Sequence, residues 1–168
     1  MAINMTLKVP TIEGESEVRK HEKEIVVRSF KIGLKQKGTG GRGTTGSGTA
    51  AADIEDLTIT KLVDKSTPLL FKACAVGQHW KDDSSVILTC MKASGSGSEP
   101  FEYLKIGLGQ AFISSVSTGA SEGGDVVLET VTFNFKTMKE EYTPQAADGS
   151  KQGVISMGWD IGKDQEMK

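Results

Sequence analysis

The 168-residue chain has no run of about 18 apolar residues, so no stretch of it reads as a membrane-spanning helix. Histidine is scarce, at two residues, and so is cysteine, at two. His21 lies in Arg19-Lys-His-Glu-Lys-Glu24 and His79 in Gly77-Gln-His-Trp80. Neither stands in a nucleophile context, and no Gly-x-Ser-x-Gly elbow occurs. Both read as solvated or loop-packing histidines. Cys74 and Cys90 make neither a C-x-x-C nor a metal spacing. Each sits in an apolar run, which favours buried free thiols, with a disulfide as the second reading. Asp82-Asp83 and Glu140-Glu141 fall at turns or strand ends and read as solvated charge, not as an acid–base pair. No catalytic set, metal centre or cofactor is expected. Aromatic content of 6% and a net charge of −2 offer neither a base-stacking surface nor the cationic excess of a nucleic-acid binder. The segment Met1–Pro10 lacks a charged start and a long apolar core. A cytoplasmic chain is therefore expected, and export would need a signal-independent apparatus.

Glycine is plentiful, at 20 residues, and gathers in Gly38–Gly48, Gly95–Gly97 and Gly119–Gly124, which marks loops. With 37% hydrophobic and 25% charged residues, the composition suits one globular domain over residues 1–168. Gly38-Thr-Gly-Gly-Arg-Gly43 lacks the Gly-Lys-Ser/Thr ending of a phosphate loop, and a strand follows it. The segment Gly38–Ala52, about fifteen residues of Gly, Thr, Ser and Ala, is either a surface loop or a segment that orders against a partner.

Alternation supplies the rest. Glu129–Lys136 places Val131, Phe133 and Phe135 on one face and Thr130, Thr132, Asn134 and Lys136 on the other, the period of a half-buried strand. Asp148-Gly149 signals a tight turn, and a returning strand carries Ile155, Met157, Trp159 and Ile161 on its apolar face. Earlier strands are expected at Ile3–Val9, at Ile25–Lys37 with Val26, Phe30, Ile32 and Leu34 inward, at Ile54–Val63, and at Val86–Lys92. A long one follows at Phe101–Thr118, with Gly107 and Gly109 marking a bend, bulge or close approach. Glu13–Glu24 reads as a solvated loop. One helix is predicted, capped by Ser66 before Pro68, ended by Gly77, with Leu69, Leu70, Ala73, Cys74 and Val76 as its stripe. About seven or eight strands and one helix indicate a mainly β fold, a small antiparallel barrel or sandwich.

Fragments spread along the chain resemble the Hcp family, the haemolysin co-regulated proteins of type VI secretion. They are Gly14-Glu-Ser16, Leu57-Thr-Ile-Thr-Lys61, Asp64-Lys-Ser-Thr-Pro-Leu-Leu70, Glu102-Tyr-Leu-Lys-Ile106, Ser114-Ser-Val-Ser-Thr-Gly119, Thr132-Phe-Asn-Phe135, Glu141-Tyr-Thr-Pro-Gln145, Asp148-Gly-Ser-Lys151 and Gly158-Trp159. The resemblance implies two β-sheets forming a barrel with one flanking helix. It also implies a homohexameric ring, stacking of rings into an exported tube, and effector proteins held in the lumen. The sheath, spike and baseplate of the secretion system are the implied partners, without nucleic acid or membrane insertion. It assigns ring stacking to the extended loop at residues 38–52, here with Lys37, Gly38, Thr39, Gly40, Gly41, Arg42, Gly43, Thr44 and Thr45. It assigns effector contact in the lumen to Ser115, whose direction depends on strand register. The polar positions of Glu129–Lys136 are then candidates for a wetted ring surface. A phage tail-tube-like structural protein and a monomeric β-barrel enzyme or binding module are the other classes.

Overall fold

The computed structural model describes residues 3–36, 51–92 and 99–167. In chain order the strands are β1 (Ile3–Lys8), β2 (Ile25–Val26), β3 (Ser29–Lys31), β4 (Leu34–Lys35), β5 (Asp53–Ile54) and β6 (Leu57–Leu62). Helix α1 (Thr67–Ala75) follows, then β7 (His79–Trp80), β8 (Val86–Lys92), β9 (Phe101–Gly109) and β10 (Ala111–Gly119). The chain closes with β11 (Leu128–Asn134), β12 (Thr137–Tyr142), β13 (Ile155–Asp160) and β14 (Gln165–Glu166). All ladders are antiparallel, as the alternation predicts. They form a seven-stranded sheet in the order β14-β13-β12-β9-β8-β1-β2, a five-stranded sheet in the order β3-β6-β11-β10-β7, and the small pair β4-β5. The two large sheets are separate ladders, so hydrogen bonding does not run unbroken around a barrel.

The core lies between them. Leu7, Val86, Leu88, Ile106 and Leu108 from the larger sheet meet Leu57, Ile59, Ile113, Val131 and Phe133 from the smaller, all buried. Three corners carry the chain from one sheet to the other. At the first, the Val27 amide donates to Met5 while the next amide, Arg28, donates to Thr60. The second is at Gln110, which adopts a positive φ of 48° and divides the predicted strand Phe101–Thr118 into β9 and β10 on different sheets. Gly109 stands beside it because a Cβ there would collide with Thr137 and Asp83. The third is at Phe135–Lys136, where the Lys136 amide donates to Gly109 and the Ile161 amide to Lys136.

These corners overturn several expectations. Over Ile25–Lys35 the chain forms three short strands, and Ile25 and Val27 point into the core while Val26 and Leu34 are exposed. The Asp148-Gly149 turn joins β12 to β13, not the Glu129–Lys136 strand to its return, because β11 and β12 belong to different sheets. Gly149 does take the required positive φ of 87°. Ile155 and Met157 share a side with the core residue Met138, yet they are exposed. The seven-stranded sheet extends past the smaller one and nothing among the described residues covers that end.

The loop before β2 keeps Glu13, Glu15, Glu17, Arg19, Lys20, Glu22 and Lys23 exposed but is anchored through Gly14, Ser16 and His21, which are buried. Gly14 abuts the Glu24–Ile25 backbone, where a Cβ would come within 2.5 Å of the Ile25 Cα. His21 is buried, its ring nitrogens 2.9 Å from Glu24 Oε2 and 2.8 Å from Glu102 Oε1. Helix α1 ends as predicted: the Gly77 amide donates to Cys74 and the Gln78 amide to Ala73, with Gly77 at φ 62°. Its start differs. The Ser66 hydroxyl donates to Asp64 and not to the helix, and only Leu70 and Ala73 of the predicted stripe are buried, while Leu69 and Val76 are exposed.

Candidate functional site

The outer face of the five-stranded sheet is where the sequence-predicted polar positions meet. Antiparallel partners project to the same side of a sheet. Register therefore places Ser115, Thr132, Thr58 and Lys31 in one row across β10, β11, β6 and β3, and Ser117, Thr130, Thr60 and Ser29 in the next. Seven of these eight side chains end in a hydroxyl. The Thr58 and Thr132 hydroxyls lie 3.4 Å apart. Beyond the first row come Phe112 and Asn134, paired across β10 and β11, and Asp56 just before β6. Asp56 accepts from the Asn134 amide at 2.8 Å and from the Ser114 hydroxyl at 3.1 Å. Lys136, the last predicted polar position, is exposed at the corner after β11.

Ser115 owes its direction to a β-bulge. The β10–β11 register shifts between Ile113 and Ser115, leaving Ser114 without a ladder partner. Before the bulge, even-numbered Phe112 faces outward with Asn134. After it, odd-numbered Ser115 and Ser117 face outward and Val116 turns inward with Val131. A regular strand would have given Ser115 the opposite side. The two serines in Ser114-Ser115 are a weak signal, since alternation alone cannot show where the extra residue sits.

Electrostatics on this face is confined to its margins. Glu55 is paired with both Lys31 and Lys35. The Lys35 hydrogen bond, with the charges of Lys31 and Lys35, holds the Glu55 carboxyl below its ordinary range, and the same hydrogen bond raises the Lys35 ammonium. The predicted stacking residues Lys37 to Thr45 lie outside the described residues. Their near flanks pair as β4 and β5, so the described chain on each side is brought together there.

Beneath the hydroxyl face lies a cluster that alternation concealed. Lys61 falls on the inward side of β6 with Leu57 and Ile59, and it is 0% exposed. Its ammonium donates to the Leu62 carbonyl at 2.7 Å, to Asp64 Oδ1 at 2.9 Å and to Glu129 Oε1 at 3.3 Å. Glu129, also 0% exposed, takes a further hydrogen bond from Thr118 at 3.1 Å. Asp64 also accepts from the Ser66 amide ahead of α1. The network ties helix start, β6, β11 and β10 together. Cys90 is buried and unpaired, and burial pushes its thiol up to about 11; Cys74 is unpaired and part-buried.

A cleft of about 700 Å³ is lined by Lys8, Lys20, Lys23 and Lys65 facing Glu13, Glu22 and Glu24. No metal-ligand group occurs among the described residues. Open hydrogen-bonding edges complete the picture. Among the described residues β7 covers β10 only at Ala111 and Phe112, and β3 is the far edge of the sheet. Fold and surface define a two-sheet antiparallel β scaffold with a hydroxyl-rich outer face on its smaller sheet.

The comparisons agree. Residues 6–142 match the family described as type VI secretion system effector, Hcp. Protein hcp1 of Pseudomonas aeruginosa is 41% identical over 162 residues, 96% of each chain. The solved structure of a type six secretion system protein superposes with a TM-score of 0.87 at 28% identity, covering 99% of this chain and 100% of that one. Hcp1 from Salmonella typhimurium superposes with a TM-score of 0.77 at 32% identity, again covering 99% and 100%. The chain belongs to the Hcp family, the secreted structural tube protein of type VI secretion.

Proposed function

We propose that the chain assembles into a homohexameric ring and that its hydroxyl face lines the central channel. The observation that carries this reading is one sheet combining a Ser/Thr face with open edges at β10 and β3. An exposed edge invites pairing, and a cyclic arrangement of copies closes such edges between subunits. Hydroxyls hydrogen-bond water and present little apolar surface, which suits a wall that must release what it carries. The uncovered end of the larger sheet, with Tyr142, Val154, Ile155 and Met157 exposed, offers apolar area for the subunit contact.

On this reading rings stack through Lys37–Thr45, and Ser115 touches effector proteins in the lumen. The protein waits in the cytoplasm, surrounded by the sheath, and leaves with the spike when the apparatus fires from its baseplate. It is a conduit and not an enzyme, since its two histidines sit apart, one buried between carboxylates and one stacked on Phe112. The test is secretion. In matched cultures the protein should reach the medium only when the contractile apparatus is intact; equal amounts from a sheath-deficient strain would refute the role.

A further inference from the structure

The hydroxyl face is not uniform along its strands. At the end near the β9–β10 corner, the row Phe112–Asn134 continues to Asp56, and His79 is the cross-strand partner of Phe112 on β7. The His79 and Phe112 rings stack with centroids 4.7 Å apart and a 38° tilt. His79 is exposed, Phe112 and Asp56 are half-buried, and Ser114 is exposed beside them. The contrast with the neighbouring acid is informative. Glu55 is neutralised by two lysines, whereas Asp56 takes part in no ion pair among the described residues. Its Oδ1 accepts from the Asn134 amide, and its Oδ2 lies 3.1 Å from the Ser114 hydroxyl, whose single proton is shared with the Thr132 carbonyl at 3.2 Å; both donors are neutral. Among the described residues these donors take two of a carboxylate's roughly four acceptor positions. The bulge at Ser114 supplies one of those donors and holds the carboxylate on this face.

A carboxylate with no ion pair among the described residues, in the same cross-strand row as Phe112 and with Asn134 between them, has the chemistry of a cation acceptor. The carboxylate gives a charge-assisted hydrogen bond to an ammonium or guanidinium, and ring faces add cation–π attraction. An acidic side chain at the same place would meet repulsion, so the patch selects by charge as well as attracting. We infer that Asp56, with Phe112 and His79, is a docking point for a lysine or arginine side chain of a protein passenger, making it a specificity-determining position one bulge away from Ser115. The inference rests on the reading of this face as the channel wall. In a ring the point recurs once per subunit, so a passenger with several basic groups gains from multiple weak contacts.

The test uses the full-length protein with fluorescein-labelled hexa-arginine and hexaglutamate as probes, read by fluorescence anisotropy at low salt. Hexa-arginine should bind and hexaglutamate should not. Asp56→Asn should weaken hexa-arginine about fivefold or more, the scale of one charge contact with an aromatic neighbour. Asp56→Glu should stay within about twofold of the parent, and Glu55→Gln, which removes an acid already paired, should do the same. His79→Ala, at an exposed position, gives a second reading of about a twofold loss should Asp56→Asn fail to fold. Unchanged affinity in Asp56→Asn, or no binding by the parent, overturns the inference. Native mass of the same samples reports the ring independently: its absence would refute the channel reading and leave the Asp56 comparison valid.

Discussion

Lys61→Met isolates the buried network beneath the hydroxyl face. Lys61 and Glu129 are both 0% exposed, and the lysine supplies the only cation within reach of that carboxylate among the described residues. Removing it leaves Glu129 with a single neutral donor, the Thr118 hydroxyl. Stranding one member of a buried pair costs about 3–5 kcal/mol. Glu129→Met is milder, about 2 kcal/mol, because Lys61 keeps Asp64 and the Leu62 carbonyl. The double variant Lys61→Met/Glu129→Met should recover at least half of the single-lysine loss, since a hydrophobic pair of similar volume removes both desolvation costs. Urea unfolding followed by circular dichroism at one fixed protein concentration measures all four species, the fixed concentration guarding against a contribution from assembly. For a chain of this size, 3–5 kcal/mol corresponds to a melting-temperature loss of about 10 °C. If Lys61→Met costs less than about 1 kcal/mol at an unchanged m-value, or less than Glu129→Met, the assignment of this network as the tie between α1 and the sheet is wrong.

Gly14→Ala should destabilise by about 1–3 kcal/mol, because its Cβ must displace the Glu24–Ile25 backbone and not a flexible side chain; thermal melts check it. In a Cys74→Ser background, Ser115→Cys should react quickly with a small thiol reagent while Ile113→Cys stays protected, as the bulge requires, and native Cys90 should remain silent with its thiol near 11. Burial pushes the Glu102 carboxyl up, but hydrogen bonds from Lys105 and His21 and their charges outweigh it and hold it below 4.5. A depressed carboxyl contributes stability above its unfolded value that is lost as pH falls through the folded one. Glu102→Gln should therefore flatten the loss of melting temperature below pH 4.5 while changing its slope little above it.

Strand positions whose two faces differ in polarity were legible in the sequence. Val131, Phe133 and Phe135 are buried as their alternation requires, and the glycine at position 77 ends the helix in the left-handed geometry it favours. Sheet membership was not legible, because alternation carries no information about which neighbour a strand chooses. Two continuous readings split at corners, Ile25–Lys37 at Val27–Arg28 and Phe101–Thr118 at Gln110, while at Phe135–Lys136 the predicted strand ends and β12 beyond it was not read. Gln110 is the clearest case: the corner falls on a non-glycine at positive φ, and only the neighbouring Gly107 and Gly109 signalled a bend or close approach there. Lys61 and Glu129 were hidden for the opposite reason. Charged residues on an inward parity break the pattern, and only their partnership across β6 and β11 explains their burial. The direction of Ser115 needed the bulge, which no residue type at Ser114 announces. The family resemblance supplied what periodicity could not, the assembly.

The central claim is that copies of this chain close into a ring with Ser115, Ser117, Thr130 and Thr132 on its inner wall. Electron-microscopic class averages of the purified protein, interpreted with the two-sheet fold, test both halves at once. The account predicts six-fold rings of about 107 kDa, built from 17.9 kDa subunits, with the five-stranded sheet's hydroxyl face turned to the channel. Monomers alone, or rings with that face turned outward, would contradict it.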